Sequence, residues 1–159
     1  MNRTEKPIKY FEDFEEGDVF EFQVPGLTPK EIKDFAKQYD PQRFHLDEGE
    51  AAETHFGSLV ASGFQTQLLC FAPFCKQVLV NSGSVGAPGV NIKWLRPWYP
   101  DTPLEVAVTL VSKRLSSKSN DRGYMSMVLE AKADDVAILA MDWTVIMLTQ
   151  LVRSKPPKG

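Results

Sequence analysis

Residues 64–80 read FQTQLLCFAPFCKQVLV, with no aspartate or glutamate and a single lysine. Apolar side chains fall on nearly every face of a helix drawn through this stretch, so the spacing predicts a buried helix rather than a surface one. Pro73 has no N–H to give to the preceding turn, and must either kink that helix or end it one turn early. Ser62 and Gln65 have the S-x-x-Q spacing of a capping box, which sets the helix start at about Gly63. A helix that is greasy all round has to be covered, and this requirement governs what the rest of the chain can be.

The remaining segments supply the cover. Residues 19–24, VFEFQV, alternate as a strand, and Pro25-Gly26 turns the chain. Thr28 is an N-cap with Pro29 at the first helical position and Glu31 completing a capping box; Ile32, Phe35 and Ala36 share one face of that helix. Pro41 disfavours the helical conformation at Asp40, so the helix ends there and His45 falls in an irregular stretch beyond it. A second short helix is expected from Asp47, with Glu50 as the partner in its capping box. After residue 84 the pattern is antiparallel sheet: Val90, Ile92 and Trp94 alternate, as do Leu104, Val106, Val108 and Leu110. Turns are expected at residues 119–123 and at Asp134-Asp135, flanking strands that carry Met125, Met127 and Leu129 and then residues 137–148. The economical solution is an α+β fold, an antiparallel sheet wrapped around one long buried central helix.

At 159 residues the chain suits one domain, with a core over about residues 8–153 and a frayed tail, SKPPKG, at 154–159. A net charge of −3 gives no bulk attraction for nucleic acid or anionic membrane. The first residues lack an apolar signal core, and no run of about 18 apolar residues occurs. Cys70 and Cys75 lie in the apolar helix, as buried thiols of a reducing compartment would, and two histidines without clustered thiols do not suit a zinc site. The expected location is cytoplasmic.

The chemistry-bearing residues concentrate at 40–63, YDPQRFHLDEGEAAETHFGSLVASG after Tyr39 is included. Asp40 and His45 are five residues apart, a rotation of about 140° on a regular helix, so only a loop after the stop at Pro41 can bring them together. An Asp/His pair can hold and deprotonate a water or return a proton to carbon. Gly63, opening the helix, has an N–H without an intrahelical acceptor and no side chain to bar a ligand; such a donor suits an oxygen that becomes enolate-like. Ordinary readings stand beside these: a helix terminator, a loop histidine, and a glycine required by tight packing. Lys93, Arg96, Arg114 and Lys118 could meet the phosphates of a carrier or simply solvate strand edges.

This frame resembles the single-domain MaoC-like dehydratases and (R)-specific enoyl-CoA hydratases, which have a hotdog fold. Their motif, Asp-x-Asn-Pro-hydrophobic-His-x-Asp, is matched without a gap by Asp40-Pro41-Gln42-Arg43-Phe44-His45-Leu46-Asp47, and Gly63 follows His45 at the family's spacing of 18 residues. The resemblance extends through KYFEDFEEGDVFE and GVNIKWLRPWYPDTPLEV. It implies reversible syn addition of water to a trans-2-enoyl thioester, with Asp40, His45 and Gly63 catalytic and with Ser62, Phe64 and Gln42 near the substrate. It further implies an acyl-CoA substrate whose coenzyme A is part of the substrate, no separate cofactor or metal, and a homodimer or larger homo-oligomer. Which of Asp40 and His45 is the base stays open.

The chain also departs from the motif. The family's Asn and Pro are Gln42 and Arg43, and a serine that some hydratases carry on the central helix is Phe71 here. His55, in His55-Phe56-Gly57, resembles the His-Phe-Pro-Gly segment of acyl-carrier-protein dehydratases. Those enzymes need an acid on the central helix, and this helix has none, so His55 is expected on the surface. The same lack counts against an acyl-CoA thioesterase of the superfamily, which remains an alternative alongside a non-catalytic acyl-thioester-binding subunit.

Overall fold

The computed structural model describes residues 8–153; the tail expected to fray lies outside the described residues. Five strands form one antiparallel sheet in the order β1-β3-β4-β5-β2, comprising β1 (Val19–Val24), β2 (Val90–Trp94), β3 (Leu104–Leu115), β4 (Arg122–Ala133) and β5 (Val136–Leu148). Four α-helices, α1 (Pro29–Tyr39), α2 (Arg43–Leu46), α3 (Glu48–Ala52) and α4 (Gly63–Gln77), lie between β1 and β2. The architecture is the expected α+β one.

The three long strands supply the core face. Val108 pairs with Leu129 and Leu129 with Met141; one row along, Leu110 pairs with Met127 and Met127 with Trp143. All of these side chains are buried, as period-2 alternation requires when one face of a sheet is dry. A register shift between Ala131 and Lys132 lets Ile138 and Leu139, adjacent in sequence, both be buried. Asp134 and Asp135 join β4 to β5 with φ of 47° and 64°, the doubly left-handed backbone of a type I′ hairpin turn.

Helix α4 crosses the dry face. Cys70 and Phe74 are its buried apolar side chains, and the Phe74 ring meets Phe20 of β1 edge-on at 5.4 Å and Trp143 of β5 at 5.9 Å. Pro73 does not end the helix, which continues to Gln77, three residues short of the expected end; a short 3₁₀ turn at Leu79–Asn81 follows. The expectation of burial all round also needs correction. Phe64 and Leu68 are 54% and 52% exposed, whereas Gln65 and Thr66 are buried. The cause is local hydrogen bonding: Gln65 Nε2 donates to the Glu31 carbonyl of α1 at 3.2 Å, and Thr66 Oγ1 to the Ser62 carbonyl at 3.1 Å. Two polar residues thereby take the inner side of the first turn, and an apolar stripe faces outward beside the edge strand β2.

Candidate active site

Helix α1 opens as expected, with Thr28 Oγ1 accepting from the Glu31 N–H and the Glu31 carboxylate accepting from the Thr28 N–H. It ends at Tyr39, and Asp40 is its C-cap, donating its N–H to the Ala36 carbonyl. Beyond Pro41 the chain forms the single turn α2 rather than the irregular stretch expected. That turn brings His45 back over the end of α1. A strand-like residue, Asp47, then caps α3 by accepting from the Glu50 N–H, so the expected short helix is present from Glu48.

Asp40 and His45 meet. Nε2 of His45 lies 3.3 Å from Oδ2 of Asp40, with the two side chains only 6% and 13% exposed respectively. Nδ1 of His45 is 2.7 Å from the carbonyl oxygen of Val60. A carbonyl only accepts, so Nδ1 carries the proton of the neutral ring, and Nε2 is the atom that gains or loses one. The carboxylate is held on both oxygens: Gln42 Nε2 donates to Oδ1 at 2.8 Å and Ser62 Oγ donates to Oδ2 at 2.7 Å. Burial pushes the Asp40 pKa up, but the Gln42 and Ser62 hydrogen bonds together with His45 outweigh it, and the net displacement is downward. Asp40 is therefore an anion at neutral pH.

Gly63 opens α4 as the spacing predicts, with Ser62 as N-cap. The capping box is only half made: Ser62 Oγ accepts from the Phe64 N–H, and Gln65 is committed to α1 instead. Among the described residues the Gly63 N–H has no acceptor. Its missing side chain is accounted for by Trp94, whose indole ring occupies the space a Cβ would need and whose Nε1–H donates to the Gly63 carbonyl at 2.9 Å. Phe64 stands edge-on to that indole at 5.3 Å.

These residues line a cleft of about 430 Å³ walled by Phe44, Phe56, Phe64, Trp94 and Trp98, with Asp40, His45, Gln42 and Gly63 on it. Ser62 is fully buried and does not line it. Arg96 lines the cleft, whereas Arg114 lies over the Tyr124 ring at 4.5 Å. Arg43, Lys93 and Lys118 are exposed, and so is His55, whose ring rests against Phe56. Phe71 packs edge-on to Trp143 at 5.8 Å. Cys75 is only partly buried, unlike Cys70.

Beyond the cleft walls Phe44, Phe56 and Trp98, sequence reasoning missed Val60 and Trp94. Val60 acts through its backbone carbonyl, which no residue type advertises. Trp94 reads as one more member of an alternating strand; its placement at the end of an edge strand, opposite a glycine, becomes visible only when β2 is set beside α4.

No family model matches the chain. The uncharacterised protein YdeM of Bacillus subtilis (strain 168) is 28% identical over 119 residues, 74% of this chain and 83% of that protein. The MaoC-like dehydratase from Rhodospirillum rubrum superposes with a TM-score of 0.82 at 25% identity, covering 93% of this chain and 99% of the other. The (R)-hydratase PhaJ1 from Pseudomonas aeruginosa, in its unliganded form, gives 0.67 at 20% identity, over 88% and 85%.

Proposed function

On a chain with the hotdog fold of MaoC-like dehydratases and (R)-hydratases, we propose a hydratase/dehydratase acting on the double bond of a trans-2-enoyl-CoA thioester or, in reverse, on a 3-hydroxyacyl-CoA. The observation that carries this reading is the buried Asp40–His45 pair facing a cleft at the N-terminus of α4.

The chemistry follows from the hydrogen bonds. Asp40 stays ionised, and Nδ1 of His45 is committed to Val60, so Nε2 is the one site free to move a proton. A water held between Asp40 and Nε2 gives its proton to Nε2 as its oxygen bonds to C3 of the enoyl group. The electron pair of the double bond shifts into the thioester carbonyl, and the Gly63 N–H, at the positive end of α4, stabilises that oxygen. Nε2 then returns the proton to C2 on the same face, and the carbonyl reforms. The sum is H and OH added syn, with coenzyme A as part of the substrate and no further cofactor required. A homodimer or larger homo-oligomer accompanies this reading, because the open edge of β2 leaves Val90 and Trp94 54% and 49% exposed. No helix among the described residues is long and apolar enough to cross a membrane.

The test mixes purified protein with crotonyl-CoA and follows the enoyl-thioester absorbance and free thiol together. Wild type should consume the double bond without releasing thiol. Asp40→Asn and His45→Gln, while folded, should lose about 10²–10⁴-fold of the rate. Thiol release would place the chain with the thioesterases instead. Silence in both signals across short, long and carboxylated enoyl groups would leave a binding subunit.

A further inference from the structure

We infer that Ser62 is a positioning residue: its hydroxyl locks the Asp40 carboxylate to the first turn of α4 and does not touch substrate. The catalytic consequence rests on the enoyl-thioester reading above, whereas the geometry does not.

Ser62 is 0% exposed, so a ligand in the cleft cannot reach it. Its Oγ accepts from the Phe64 N–H at 3.3 Å, which directs its single proton outward, and that proton goes to Asp40 Oδ2 at 2.7 Å. Oδ2 is also the oxygen that faces His45 Nε2 at 3.3 Å. The chain of donors thus runs from the Phe64 N–H in the first turn of α4, through one hydroxyl, to the oxygen that must hold the water. Each bond in such a chain polarises the next. Gln42 holds the other oxygen, Oδ1, at 2.8 Å, so the carboxylate is fixed at both ends.

The two donors differ in what could replace them. Gln42 is exposed, and water can stand in for its amide. Ser62 is sealed, so deleting its hydroxyl leaves Oδ2 short of a donor with no bulk water to compensate. The structure therefore sets Ser62 above Gln42 in its hold on Asp40, although Gln42 is the residue that stands inside the motif. His45 is the one titratable side chain that faces the carboxylate among the described residues, so a titration of Asp40 reports this network with little interference.

The experiment is a ¹³C-carboxyl NMR titration of Asp40 in the full chain, comparing wild type with Ser62→Ala, Ser62→Gly, Ser62→Thr and Gln42→Ala. Glycine keeps most of the N-cap's contribution to the helix, so Ser62→Gly separates the lost donor from the lost cap. The Asp40 midpoint should rise by roughly one pH unit in Ser62→Ala and Ser62→Gly, by less in Gln42→Ala, and return close to wild type in Ser62→Thr. With crotonyl-CoA the first two variants should lose about tenfold in kcat at little change in KM, and the acid limb of the rate profile should move with the carboxyl midpoint.

An Asp40 midpoint unmoved in both Ser62→Ala and Ser62→Gly overturns the inference, as does failure of threonine to restore it. A rise in KM with an unmoved titration would make Ser62 a substrate contact, which also overturns it. If wild type leaves the double bond untouched while the carboxyl midpoint shifts as stated, the enoyl-thioester reading falls and the positioning role stands.

Discussion

The indole of Trp94 lies against the Cα of Gly63 so closely that a Cβ there would be 2.5 Å from Cε2 and 2.6 Å from Nε1 of the ring. The edge strand and the central helix therefore touch through a glycine that lines the cleft. Alanine at position 63 must displace the ring and break the bond from Nε1 to the Gly63 carbonyl. Gly63→Ala should cost about 1–3 kcal/mol of stability in a urea melt and shift Trp94 fluorescence. Because the displaced group lines the cleft, turnover should fall more steeply than stability does.

The pH dependence of stability has a definite sign. The native pKa of Asp40 is lowered from an ordinary value of 3.8, mainly because the Gln42 and Ser62 bonds and His45 overcome the upward push of burial. Its ionised form therefore contributes stability that is complete above the unfolded-state value and is lost as pH falls through the lower native one. The stability difference between wild type and Asp40→Asn should be flat through neutral pH and shrink below about pH 4. Urea midpoints measured from pH 7 down to pH 2.5 check this.

The β4–β5 turn offers a gain. Asp135 adopts φ of 64° after Asp134 at 47°, and glycine adopts that backbone without a Cβ penalty. Asp135→Gly should stabilise by roughly 0.5–1 kcal/mol, seen as a higher Tm, and Asp135→Val should lower it.

The two thiols should differ in reactivity. Burial pushes the Cys70 thiol up to about 12, whereas Cys75 is partly exposed. Since the thiolate is the nucleophile, iodoacetamide on native protein should label Cys75 first, and Cys70 should react only as the chain unfolds. Peptide mass spectrometry of timed samples reads this directly.

Much of this was legible in the residues because the cues were local. Thr28-Pro29-x-Glu31, Pro41 and the Asp134-Asp135 pair each act within a few positions, and α1, its stop and the hairpin stand where those cues put them. The alternation of Leu104 to Leu110 and of Met125 to Leu129 likewise sufficed for the core strands. The errors arose where a distant partner decided the outcome. Gln65 left its capping box for the Glu31 carbonyl, 34 residues away, and with that side chain turned inward Phe64 and Leu68 stand on the exposed side. Ser62 is the helix cap that its spacing predicts; that its proton reaches Asp40, 22 residues back, is a tertiary fact no local cue carries.

Pro73 interrupts the amide ladder of α4 without stopping the helix. It has no N–H to offer the Leu69 carbonyl, so the ladder that joins the two halves of α4 is one bond short at that point. The first half is tied down three times, by Ser62 to Asp40, by Trp94 to Gly63 and by Gln65 to Glu31. The second half is held chiefly by Phe74. In the language of opening equilibria, one helix should behave as two units. Deuterium should enter the amides after Pro73 well before the bonded amides from Thr66 to Ala72, while the unpaired Gly63 N–H exchanges early, so the helix should open from the end away from the site.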